Sequence, residues 1–210
     1  LAQEGVTIIA YTLAVGGIYA KKIDLSVIEK NMVRCPDMEQ SEVMIQKIEE
    51  ARKNSDSLGG IVEALVKGCP PGLGDPVFDK LGARLAAGLM SIGTIKGIEI
   101  GSGFELTKMR ASDANDRFIL EKNKIRTKTN HAGGILGGIS TGEDIVLRVA
   151  VKPPSSIPQL QETFTTSHEK TTIQVKGRHD PCICPRVVPV VEAMIALTLV
   201  DCLLIQKSIK

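Results

Sequence analysis

"NHAGGILGGISTGEDIVLRVAVKPPSSI", Asn130 to Ile157, changes character half-way along. Its first part is dense in glycine, at Gly133, Gly134, Gly137, Gly138 and Gly142, and glycine is the residue that tight turns and close backbone approaches need. Its second part, "DIVLRVAV", is apolar and β-branched like a strand, and Pro153-Pro154 closes it. Working outward, "IKGIEIGSGF" (95–104) alternates like a strand, "DSLGGIVEALVKG" (56–68) contains a short apolar strand, and "GVTIIAYTLAVGGIYA" (5–20) reads as one strand or a hairpin about Gly16-Gly17. Helical spacing appears in three places. Between Asp24 and Asn54, Met44, Ile48 and Ala51 share a face. From Asp75 to Ile92, Asp75 can cap, Pro76 suits the first turn, and Val77, Leu81, Leu85 and Leu89 repeat every fourth residue. Finally, "PRVVPVVEAMIALTLVDCLLIQK" (185–207) reads as a long apolar helix covered on most sides. "MRASDANDRFILEKNKIRTKTN" (109–130) is polar enough for a long surface excursion. Strands and helices are mixed, and there is more turn chemistry than a doubly wound parallel sheet carries, so the fold class is α+β, a single domain over residues 1–210.

The bulk composition narrows the function classes. The 210 residues are 43% hydrophobic with a mean hydropathy of +0.08, enough to bury a core, and with 3% aromatics and no Trp that core must be aliphatic. A stacking platform for single-stranded nucleic acid is therefore disfavoured. The net charge of +2, from 26 basic and 24 acidic residues, demands neither nucleic acid nor an anionic membrane. Gly, Pro or Glu interrupts the longest apolar runs before roughly 20 residues, which reads as a soluble protein. Five cysteines, Cys35, Cys69, Cys182, Cys184 and Cys202, form no even framework and suit a reducing compartment, the cytoplasm or a plant plastid. The chain begins "LAQEG" with no targeting signal visible, a start that suggests a truncated product.

Three stretches could carry chemistry. The glycine cluster, with Ser140 and Thr141 beside it, lets backbone approach a ligand, or is simply a turn between strands; it is neither a Walker loop nor a dinucleotide fingerprint. "KPPSSI" sets Lys152 against the stiff Pro153-Pro154 and follows with Ser155 and Ser156, a cation and hydroxyls for a phosphate, or a surface loop. "KGRHDPCICPR" (176–186) allows several readings. Cys182 and Cys184 lie too close for the paired-cysteine spacing of zinc sites, and no second pair matches them. Cys182 activated by His179 is a further reading. So is Arg178 as a fixed cation for an anion with Asp180 as a proton carrier, and so is a plain surface turn.

Taken together, "GLGDPVFDKL", "NHAGGILGGISTGEDI", "KPPSSI", "GRHDPC" and "PRVVPVVEAMIALTLVD", in that order and covering nearly all of the chain, resemble the chorismate synthase family. The resemblance implies a β-α-β sandwich, two antiparallel sheets enclosing a helical layer, usually assembled as a homotetramer. It implies a lyase of the shikimate pathway, a 1,4-elimination of phosphate from 5-enolpyruvylshikimate 3-phosphate that gives chorismate for aromatic amino acid biosynthesis and needs reduced FMN. Carried over, the flavin-binding positions are Gly93 and Thr94 in "SIGTIKG", Gly137, Lys152, Pro153, Pro154, Ser155 and Ser156, and Arg178; Asp180 is the catalytic candidate for moving a proton, His179 is structural and Cys184 incidental. No metal is implied.

Two features depart from the family pattern. Gly93-Thr94 stands where Asn-Ala or Pro-Ala is common, which matters little if backbone makes the contact. The family's N-terminal segment, with its two catalytic histidines, substrate arginines and Arg-Ser-Ser flavin motif, has no counterpart, and neither His131 nor His168 sits in such a motif. The expectation is a C-terminal part of a longer enzyme, inactive alone, whose open sandwich leaves apolar surface exposed. The alternative is a non-catalytic FMN- or phosphate-binding module, or a remnant that keeps an interaction surface.

Overall fold

The computed structural model describes residues 1–121 and 123–209. In chain order the elements are β1 (Thr7–Val15), β2 (Ile18–Tyr19), α1 (Met38–Lys53), β3 (Gly60–Lys67), α2 (Leu81–Met90), β4 (Ile95–Ile100), α3 (Ala111–Ala114), β5 (Phe118–Glu121), β6 (Lys124–Thr127), β7 (Ile135–Leu136), β8 (Ile139–Ser140), β9 (Ile145–Val151), β10 (Gln161–Phe164), β11 (Lys170–Ile173) and α4 (Cys184–Ile209). One five-stranded sheet has the order β2-β1-β3-β9-β4, and β5–β6, β7–β8 and β10–β11 are separate antiparallel hairpins. The chain is therefore α+β. Its compact units are two: Leu1–Ala10 with Val62–Ala150 and Val188–Lys210, and Tyr11–Ile61 with Val151–Val187.

In the first unit the strands alternate as a half-covered sheet must. Val62, Ala64 and Val66 of β3 and Ile145, Leu147 and Val149 of β9 are buried, and the residues between them are more open. Arg148, on the more open face, lies 3.0 Å from Glu99 and 3.8 Å from Glu63 and donates to the Gly101 carbonyl at 2.6 Å. Leu81, Leu85 and Leu89 are the buried stripe of α2, as their spacing requires. The helix does not start at Asp75, however. Asp75 accepts from the Val77 N–H in a local turn, Val77 and Phe78 are left exposed, and helix begins only where the Leu81 N–H bonds to the Gly138 carbonyl. A capping residue followed by proline satisfies a turn as readily as a helix start, and only Leu81 onward finds a core to pack on.

Helix α4 crosses α2 at Gly88, where an added methyl would lie 2.9 Å from the Thr198 hydroxyl. Its buried residues include Val188, Val191, Ile195, Leu199 and Cys202, but Val190, Leu197, Leu204 and Ile205 face solvent, so the helix is not covered on most sides. By length and composition alone its 26 residues, with a window of mean hydropathy 2.2, are enough to cross a membrane. Here one side of the helix belongs to an aliphatic core, as in a core helix.

The polar stretch 109–130 contains α3 and the hairpin β5–β6, which exposes Phe118, Leu120 and Ile125; Lys122 lies outside the described residues. Such a hairpin is marginal by itself. Glu143, nearly buried, holds it by accepting a two-pronged bond from Arg126 (2.8 and 2.6 Å) and another from the Thr127 N–H (2.9 Å). Gly101 carries φ +60°, and a methyl there would fall 2.2 Å from the His131 carbonyl oxygen. Gly101→Ala should therefore lower the unfolding free energy by about 2 kcal/mol or more, read from the urea midpoint.

In the second unit β1 and β2 form a two-residue hairpin, with Ala14 opposite Tyr19 and Val15 opposite Ile18. Gly16 and Gly17 have φ of 55° and 84°, the pair of positive values that this turn type requires. Asp37 starts α1: one carboxylate oxygen accepts from Gln40 N–H, and the other takes Lys21 and Lys22 N–H. Burial alone would raise its pKa, but these backbone donors and that of Glu39 outweigh the burial and hold it below the ordinary carboxylate value. The hairpin β10–β11 has no counterpart in the sequence reading, because its strands are exposed and polar and carry no apolar alternation.

Candidate active site

Three consecutive residues organise the second unit. Ser57 is nearly buried and donates its hydroxyl to the Pro154 carbonyl at 2.6 Å. Leu58 donates its N–H to the Pro181 carbonyl at 2.7 Å and bridges Cys182 in parallel register. Gly59 lies so close to the end of β9 that a methyl on it would meet the Val151 carbonyl at 2.4 Å and the Pro153 ring at 2.9 Å. Through this strap the loop that leaves β9 and the segment that enters α4 are held to one short backbone. The sequence separates them by more than twenty residues.

The two segments also touch directly. The Ser156 hydroxyl is 3.1 Å from His179 Nδ1, and His179 Nε2 is 3.1 Å from the Val175 carbonyl. A carbonyl can only accept, so Nε2 donates there and, in the neutral ring, Nδ1 accepts from Ser156. His179 thus spends both ring nitrogens on holding chain segments. Lys152 reaches Ser155 at 3.2 Å, while Ser155, Ser156 and Arg178 are exposed. Asp180 accepts from Arg186 at 2.7 Å. Asp180 also borders two open cavities, one of about 330 Å³ with Met32, Ile48, Cys182 and Arg186 on its walls, the other of about 160 Å³ beside Arg52, Ile157 and His179.

The remaining expected positions belong to the first unit. Gly93 and Thr94 follow α2, and the Thr94 hydroxyl is buried with no hydrogen-bond partner among the described residues, whereas nothing stands within 4 Å of a side chain built on Gly93. Gly137 sits with φ 60° in the β7–β8 turn, open to solvent, and its neighbour Gly138 accepts from Leu81 at the start of α2. The two positions therefore lie at opposite ends of α2, whose 10 residues span about 15 Å, and are not brought together. Ser57, Gly59 and Arg186 were missed by sequence reasoning. The doublet Gly59-Gly60 inside a strand run was the available signal, because glycine there marks close backbone approach.

The chorismate synthase family profile matches residues 1–204. The chain belongs to the chorismate synthase family. It is 52% identical over 208 residues to the chorismate synthase of Roseiflexus castenholzii, covering 99% of this chain and 58% of that protein. It is also 52% identical over 206 residues to the chorismate synthase of Methanosarcina mazei, covering 96% of this chain and 56% of that protein. A crystal structure of a chorismate synthase superposes with a TM-score of 0.81 at 28% identity, over 98% of this chain and 59% of that one. The chain thus spans well under two thirds of the length of the chorismate synthases it matches, and its α+β arrangement is the family's fold.

Proposed function

We propose that this single-domain chain is the C-terminal part of a chorismate synthase, a lyase that eliminates phosphate from 5-enolpyruvylshikimate 3-phosphate with reduced FMN, in the cytoplasm and as a homotetramer. The observation that carries the reading is the strap Ser57–Gly59, which holds "KPPSS" and "HDP" on one surface with a histidine–serine bond between them. The residues fit the phosphate end of a flavin mononucleotide. Lys152 and Arg178 offer two cations against a group that carries about two negative charges, and Ser155 and Ser156 offer hydroxyls. When bound, reduced FMN supplies electron density that assists departure of the phosphate.

The chain's own work is then positional and protonic. Pro153 and Pro154 stiffen the loop so that Lys152 and the serines need little ordering on binding. His179 fixes the height of Ser156 over the segment Arg178–Asp180. Asp180, turned by Arg186, is the group placed to hold or move a proton. Arg178→Ala should weaken FMN binding by about tenfold or more, because an anion held by an oriented guanidinium loses a charge-assisted bond. Titrating FMN against both proteins by flavin fluorescence checks this, and equal affinities would remove Arg178 from the site.

A further inference from the structure

The open cavity of about 330 Å³ beside Asp180 has two unlike sides. One is apolar. Ile45 and Ile48 stand one turn apart on α1, and Met32 and Val33 come from the turn that precedes it. Val33 is buried and the two isoleucines are half-buried, whereas Met32 is 85% exposed, an unbranched thioether flexible enough to fold over whatever enters. The other side is ionic. Asp180 and Arg186 meet there at 2.7 Å, with 31% and 63% of their side-chain surfaces open to solvent. Both stand on fixed backbone. The Pro181 carbonyl, next to Asp180, accepts from the Leu58 N–H at 2.7 Å, and the Arg186 N–H bonds to the Ile183 carbonyl at 2.9 Å in the first turn of α4. The remaining charge on the walls, Glu49, is already paired with Arg52 at 2.6 Å.

We infer that this cavity binds an apolar α-amino acid, with its carboxylate on Arg186, its ammonium on Asp180 and its side chain against Ile45 and Ile48.

The charge pattern selects the zwitterion. An α-amino acid carries both charges next to one carbon, side by side as Arg186 and Asp180 are, so it replaces their single ion pair by two. A plain carboxylate would take the guanidinium and leave Asp180 without its cation, and a plain amine would leave Arg186 without its carboxylate. A ligand carboxylate is also free to turn and engage the planar guanidinium fork with both oxygens, whereas Asp180 meets it through Oδ2 at Nη1. The volume lies at the lower end for small-molecule pockets, which suits an amino acid better than a nucleotide. Because the two charges are held by fixed backbone, little ordering is needed on binding. The site shares Asp180 and Arg186 with the function proposed above but asks nothing of flavin or turnover, so it stands whether or not Asp180 moves a proton.

The test titrates the chain, without flavin, with L-phenylalanine, 3-phenylpropionate and 2-phenylethylamine, and follows ligand signals by saturation-transfer NMR. The last two probes keep the apolar group and one charge each. Phenylalanine should bind saturably and about fivefold or more tightly than either of them, since it alone makes both charge-assisted bonds. Arg186→Gln should lower phenylalanine affinity by about fivefold or more and leave phenylethylamine, which has no carboxylate to lose, unchanged. Met32→Asp, at an exposed position, should weaken all three by removing apolar wall. No saturable binding of phenylalanine, equal binding of the three probes, or a loss in Arg186→Gln that strikes phenylethylamine as hard as phenylalanine would overturn the inference.

Discussion

Asp180→Asn is expected to lower turnover by roughly 10²-fold or more in the catalytically active enzyme, while FMN affinity changes by less than about threefold. The substitution keeps the side chain's shape and its contact with Arg186, which sits 2.7 Å from the carboxylate, but an amide cannot take up and release a proton as a carboxylate does. Binding and chemistry are therefore separated by one atom. Phosphate release at saturating reduced FMN measures the first quantity, and flavin titration the second. Unchanged turnover would remove Asp180 from the reaction, and a parallel loss of affinity would make it a binding residue.

Gly59→Ala has the second large effect, and it acts without touching any charged group. The new methyl would sit 2.4 Å from the Val151 carbonyl, a backbone atom that cannot rotate aside as a side chain could. Relief requires moving the end of β9 and with it Lys152 to Ser156, or moving Ser57 off the Pro154 carbonyl. The expected outcome is a loss of about 2–4 kcal/mol in unfolding free energy and a drop of tenfold or more in FMN affinity. Gly137→Ala provides the contrast, since nothing stands within 4 Å of the added methyl; only its φ of 60° costs about 1 kcal/mol, with the fold intact. If Gly59→Ala binds FMN as the wild type does, the loop is not held by the strap.

Local rules carried some elements all the way. Gly16-Gly17 between two β-branched runs defined a hairpin because only a turn with two positive φ values joins strands in two residues. Leu81, Leu85 and Leu89 defined the buried stripe of α2 because helix spacing is a local property. The same rules misplaced the start of that helix at Asp75, and they overstated how fully α4 is covered, since apolar composition does not say which face will find a neighbour. The hairpin β10–β11 gave no signal because neither of its strands enters a core.

The sequence by itself determined the mixed α+β character, the aliphatic core, the glycine turns and, through five ordered motifs, the family to which the chain is similar. It also contained every residue type a phosphate-binding loop and a proton carrier need. Only the tertiary structure decided that Ser57, Leu58 and Gly59 hold "KPPSS" and "HDP" together and that His179 is consumed in holding Ser156. The reason is physical. Turn and helix preferences are settled by neighbours within a few positions, whereas Ser57 meets Pro154 across 97 residues, and a contact of that span exists only after the core has fixed both backbones.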